Sequence, residues 1–181
     1  MWLKPRDVTV SVVFAVLTAI GAWISIPLPI TPVPFTMQVL FVLLSGAVLG
    51  GRLGALAQMI YLLLGLVGLP VFAGGASGPS VLVGPTGGYL FGYVFAAYLT
   101  GRIAQSKRSP RLIWMIFATL SGLFLIYAFG EIGLWMWLKI SFPALLMFGV
   151  IPFLPLDVIK AIMAAYIASR RQVKQLIQKQ N

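Results

Sequence analysis

The chain has 181 residues, 60% of them hydrophobic and only 9% charged, against about 45–50% apolar and about 25% charged in soluble domains; a soluble globule is excluded. Thirteen Lys and Arg against three Asp and Glu give a net charge of +10, a balance that membrane topology explains better than nucleic-acid binding does. With no Cys and no His, disulfides, thiol nucleophiles, ordinary zinc sites and imidazole bases are excluded too.

A membrane-spanning helix takes about 20 mostly apolar residues, and the sequence offers six such segments, predicting an all-α integral membrane protein. The first covers 8–26. Lys4 and Arg6 precede it as in a secretory signal, but the apolar run exceeds a signal's usual core of about 7–15 residues, so an uncleaved helix is expected. Its small residues Ala15 and Ala19, with Gly21 and Ala22 beside them, permit close approach of another helix, within the bundle or on a partner. Pro27, Pro29, Pro32 and Pro34 break the chain before the second segment, 35–50; Gly50 and Gly51 separate it from the third, 53–69. A glycine-rich stretch leads to the fourth, 87–103, followed by a fifth, 112–129, and a sixth, 150–169. Region 134–150 could form a seventh, but that would place the basic C-terminal residues outside. It is expected instead as an outer loop with a short interfacial helix, since Trp135, Trp137 and Lys139 suit the headgroup level. No repeat or soluble linker divides the chain, so 1–181 is expected to be one membrane-embedded domain.

Charge placement supports six spans. Lys4 and Arg6, then Arg52, then Arg102, Lys107, Arg108 and Arg111, then Arg170, Arg171, Lys174 and Lys179 fall on alternate connections or ends. The loops after the first and third segments, 27–34 and 70–86, carry no charge. Basic residues gather on the cytoplasmic side, so both termini are expected inside and the protein is expected to be a multi-pass component of the cytoplasmic membrane.

Two ionisable side chains fall well within a predicted span, Asp157 and Lys160. Three residues apart, they share a helix face and are expected to pair. Either alone in hydrocarbon costs several kcal/mol, so each needs a partner, a cavity or a ligand; a purely structural pair is the plainer alternative. The second constellation is the uncharged run Gly68-Leu69-Pro70-Val71-Phe72-Ala73-Gly74-Gly75-Ala76-Ser77-Gly78-Pro79-Ser80 with Gly84-Pro85-Thr86-Gly87-Gly88-Tyr89. Dense glycine lets backbone approach a ligand, and irregular backbone at membrane depth is tolerated where it lines a cavity. The run fits a lid, with Phe72 and Tyr89 for flat apolar contact and Ser77, Ser80 and Thr86 for hydroxyls; an ordinary connector is the alternative. No phosphate-binding G-x-x-x-x-G-K-[ST] is present, so uphill movement of a substrate would draw on a partner or an ion gradient.

These residues resemble one family, BioY, the biotin-binding S components of energy-coupling factor (ECF) transporters. The resemblance runs through Pro27-Leu28-Pro29-Ile30-Thr31-Pro32-Val33-Pro34-Phe35-Thr36-Met37-Gln38, Gly50-Gly51-Arg52-Leu53-Gly54, the stretch from Tyr61 to Gly75, Gly84-Pro85-Thr86-Gly87-Gly88-Tyr89, and the segment from Pro152 to Lys160. Where the family commonly has Gly before the helix-six Asp, this chain has Leu156. The resemblance implies an S-component bundle of six transmembrane helices with both termini inside, and biotin as substrate. It implies a binding set of Asp157, Lys160, Phe72, Gly74, Gly75, Ser77, Ser80, Thr86, Tyr89, Gln38 and Tyr61. Asp157 would accept from a ureido N–H and Lys160 would donate to the ureido oxygen; in a rival pose Lys160 neutralises biotin's carboxylate. Loop N–H groups and hydroxyls would hold the carboxylate, and Phe72 and Tyr89 would pack on the rings. It further implies a membrane coupling subunit and two ABC-type ATPases as partners, docking at Ala15 and Ala19, or operation as a homo-oligomer. No cofactor, metal or nucleic acid is expected. A sister component for another vitamin, a lipid-directed enzyme using Asp157 and Glu131, and a structural scaffold are the competing readings, the enzyme lacking a credible catalytic set.

Overall fold

The computed structural model describes residues 4–107 and 110–170; the basic residues Arg108, Arg171, Lys174 and Lys179 lie outside them. The described helices are α1 (Pro5–Trp23), α2 (Gln38–Leu49), α3 (Gly51–Leu66), α4 (Pro79–Leu82), α5 (Gly87–Gln105), α6 (Leu112–Leu138), α7 (Phe142–Gly149) and α8 (Leu154–Ser169). One small element departs from an all-helical chain. β1 (Ser25–Ile26) and β2 (Phe35–Thr36) pair antiparallel, Ser25 opposite Thr36, closing the proline-rich loop into a hairpin-like flap.

By length and composition α1 and α6 can each cross a membrane, and α7 with α8, bent by 54° at their junction, makes a third candidate. The shorter α2 and α3 are also apolar. α2 sits at the centre, packed against α1, α3, α5, α6 and α8, and is buried on nearly every side, as expected of a helix apolar all round. The outward faces of α1, α6 and α8 carry large exposed apolar side chains, among them Val13, Ile113, Phe124 and Ile159, a surface that suits lipid rather than water.

Glycines set how closely the helices approach. A Cβ at Gly54 of α3 would come within 2.8 Å of Gly46 Cα on α2, and one at Gly133 of α6 within 2.7 Å of Gly88 Cα on α5. Small residues at such crossings replace the hydrophobic drive that lipid surroundings remove.

The expected outer loop over 134–150 is corrected. α6 continues through Trp135 and Trp137, because Gly130 and Gly133 do not break it but face α5, where a Cβ at Gly130 would overlap the Tyr89 ring. The helix stops at Lys139, in the left-handed region at φ 53°. The short helix expected there is present as α7, and the sixth segment starts late, at Leu154, with Pro155 in its first turn.

Candidate functional site

A cavity of about 360 Å³, the size of small-molecule sites generally, lies where the β1–β2 flap and the α3–α5 connection meet the bundle. Its walls come from residues 32–36, from Gln38 and Val39 on α2, and from Tyr89, Leu90 and Tyr93 on α5. Ile126 and Tyr127 on α6 and Phe153 and Asp157 at α8 complete them. Phe72, Ala73, Ala76, Ser80, Val81 and residues 84–86 cover it from the connection.

At its polar end Asp157 and Lys160 form an ion pair of 2.7 Å, each about 5% exposed. The i, i+3 spacing on α8 brings them together. Tyr127 hydroxyl donates to Asp157 Oδ2 at 2.8 Å, and Lys160 Nζ donates to Asp157 Oδ1 and, at 2.6 Å, to the Thr36 carbonyl. Lys160 Nζ also lies 3.6 Å from the centroid of the Phe35 ring, a cation–π contact. Lys160 thereby ties α8 to the flap. Each carboxylate oxygen has two lone pairs, so Asp157, which lines the cavity, keeps acceptor capacity on both oxygens for a ligand N–H. Lys160 stands behind Asp157 and is not among the lining residues.

The apolar end is built around Phe72, fully buried and edge-on to Tyr61, with centroids 5.6 Å apart and an interplanar angle of 81°. Gly65 makes this possible, since a Cβ there would overlap the Phe72 ring. Tyr61 hydroxyl donates to the Val71 carbonyl at 3.1 Å and accepts from Gln38 Nε2 at 2.6 Å; Thr36 hydroxyl in turn donates to Gln38 Oε1 at 3.0 Å. The connection is therefore an ordered cover. It holds the 3₁₀ turn Ala73–Gly75 and α4, with Gly74 and Gly75 at φ 66° and 79°, a left-handed pair that only glycine adopts without strain. Gly78 N–H donates to the Gly65 carbonyl at 2.8 Å, and Trp23 Nε1 of α1 to the Pro70 carbonyl at 2.8 Å.

Of the residues singled out from the sequence, Asp157, Phe72, Ser80, Thr86, Tyr89 and Gln38 come together in the wall. Tyr61 stands one step behind, through Gln38. Gly74, Gly75 and Ser77 shape or flank the turn without lining the cavity. Ala15 is buried and Ala19 partly buried within the bundle. Sequence reasoning missed Tyr127, Tyr93 and the flap residues 32–36. Tyr93, one turn beyond Tyr89 on α5, was within reach of a periodicity argument; Tyr127 was not, because its partner lies 30 residues away. Among the described residues no group of three or more His, Cys, Asp or Glu side chains is placed to hold a metal ion.

A model of the BioY family matches residues 1–179. A protein of Thermotoga maritima named biotin transporter BioY is 48% identical over 158 residues, 87% of this chain and 90% of that one. One of Pyrococcus horikoshii, named probable biotin transporter BioY, is 40% identical, covering 94% of this chain and 98% of its own. A crystal structure of the S-component for biotin from an ECF-type ABC transporter superposes with a TM-score of 0.86 at 27% identity, covering 94% of this chain and 95% of that chain. These relatives are transport proteins of the membrane, and the chain is read with them as a transporter component and not as an enzyme.

Proposed function

We propose a function on one premise: the chain belongs to the BioY family. It is the biotin-binding S component of an ECF-type uptake transporter, one membrane-embedded domain over 1–181. The observation that carries this is an acceptor carboxylate, Asp157, at the polar end of an otherwise apolar, lidded cavity. Biotin is an apolar bicycle whose ureido group bears two N–H donors and one carbonyl, with a chain ending in a carboxylate, and the cavity offers a counterpart to each part. Asp157 accepts from a ureido N–H, Phe72 and Tyr89 pack on the rings, and hydroxyls of Ser80 and Thr86 receive the carboxylate; Ser77 and the N–H groups around Gly74 and Gly75 join them only if the lid shifts inward. Lys160 donates to Asp157 Oδ1 and holds it in place. A direct bond from Lys160 to the ureido oxygen requires it to release the Thr36 carbonyl.

The chain crosses the cytoplasmic membrane six times with both termini inside, α7 and α8 serving as one bent span. A membrane coupling subunit and two ABC-type ATPases supply ATP-driven reorientation, and no cofactor takes part beyond the bound substrate. Ala15 is covered by the chain's own helices, so docking through Ala15 and Ala19 requires α1 to shift against α3. Work as a homo-oligomer without a dedicated module is the other mode.

Equilibrium binding of labelled biotin to the purified, detergent-solubilised chain tests the reading. Tight binding supports it; well-folded protein that binds another vitamin and not biotin overturns it. In the same assay Tyr127→Phe should weaken binding about tenfold, because a hydrogen bond to a charged group contributes about 1.5–3 kcal/mol and Asp157 loses the contact that orients it. Unchanged affinity would remove Tyr127 from the site.

A further inference from the structure

Among the described residues, Glu131 is the one acidic side chain of the bundle's interior with no basic side chain beside it: Lys160 is taken by Asp157, and α7 carries no titratable residue. It lies on α6 within an apolar groove formed with α7 and α8. Its Oε1 is 2.9 Å from the Tyr89 hydroxyl, which is itself 3.0 Å from the Gly149 carbonyl at the end of α7. Its Oε2 is buried without a hydrogen-bond partner. Gly149 is needed there, since a Cβ would overlap the Glu131 carboxyl.

Three oxygens in a row at hydrogen-bond distance need two protons between them. Gly149 offers only a carbonyl and Tyr89 has one proton. An ionised Glu131 would compete with the Gly149 carbonyl for that proton and leave a charged oxygen buried and unpartnered in apolar surroundings, which hydrocarbon strongly disfavours. A neutral carboxylic acid satisfies the row completely: Glu131 Oε1–H donates to Tyr89, and Tyr89 O–H donates to the Gly149 carbonyl. Oε2 is then an uncharged carbonyl, far cheaper to leave alone.

We propose that Glu131 is a proton-binding site, a carboxylic acid whose proton completes a Glu131–Tyr89–Gly149 latch joining α6, α5 and α7. Tyr89 also lines the substrate cavity, so the latch fixes one of its walls. The groups facing Glu131 are Tyr89 from α5 and Tyr127 one turn earlier on α6; behind Tyr127 stands Asp157 of α8, already paired with Lys160.

The test needs no ligand, so its result stands apart from the identity of the substrate. Infrared difference spectra of wild-type protein and Glu131→Gln at neutral pH should show a protonated carboxylic C=O stretch that the variant lacks; a carboxylate band in its place overturns the proposal. Gln keeps an N–H donor for Tyr89 and cannot ionise, so Glu131→Gln should retain the wild-type melting temperature at neutral pH. From mildly acidic to alkaline pH the wild type should lose stability relative to Glu131→Gln, since the unfolded chain gives up a proton that the folded state keeps. A variant that melts far below wild type, or parallel pH profiles, would overturn the latch.

Discussion

Replacing Asp157 with Asn should abolish biotin binding, lowering affinity by at least about 100-fold. Two losses combine. The ligand N–H no longer meets a charged acceptor, a difference of about 1.5–3 kcal/mol, and the Lys160 ammonium, 4% exposed, is left without its partner. Breaking one side of a buried pair typically costs about 3–5 kcal/mol, and each 1.4 kcal/mol is about tenfold in affinity where the loss falls on the bound state. The second loss confounds the single variant, since a weakened fold also binds less. Asp157→Asn combined with Lys160→Met separates them. The double variant buries no charge, and neutral replacement of a buried pair is often harmless to stability; Asn still accepts from the Tyr127 hydroxyl. Recovered melting temperature with binding still absent assigns Asp157 to the ligand. Recovered stability together with recovered binding would make the pair structural only, leaving the cavity to recognise biotin by other groups.

The ion pair was legible because its spacing is local: three residues on one helix. What Lys160 does besides was not, because its second acceptor, the Thr36 carbonyl, is 124 residues distant and depends on how the flap folds over α8. The same reason separates Phe72 from the flap. An aromatic in a glycine-rich run stands out by composition, whereas residues 32–36, which line the cavity, read as a proline break running into the expected second span, 35–50. The proline pattern marks a break, and only the pairing of β1 with β2 turns that break into a wall. The extent of α6 was misjudged for a related cause. Trp135 and Trp137 fit an interfacial loop by residue type, but the glycines just before them, Gly130 and Gly133, face a neighbouring helix and are packing devices. Sequence shows a glycine and not what it faces. Lys160 illustrates the limit from the other side: its charge within a span draws attention to α8, yet its place behind Asp157 follows from three elements converging.

Gly65→Ala should damage both stability and biotin binding, and adding Phe72→Ala to it should cost less stability than Phe72→Ala costs in the wild type, without restoring binding. The added Cβ would overlap the Phe72 ring, and Phe72 is fully buried, wedged edge-on against Tyr61. Its nearest way out is the cavity it lines. Overpacking costs typically about 1–3 kcal/mol, and a ring driven into the cavity excludes the substrate outright. Phe72→Ala alone should cost about 3–5 kcal/mol of stability through the void it leaves, and should weaken binding through lost apolar contact. Together the two changes relieve each other: the alanine at 65 grows into space that the ring has vacated. The double-mutant cycle should therefore show a combined destabilisation smaller than the sum, by about 0.5–3 kcal/mol, the range for residues in contact. Additive costs would mean that Gly65 and Phe72 do not touch in the folded protein, and the cover over the cavity would then have to be held by Tyr61 and its hydrogen bonds to Gln38 and Val71 alone.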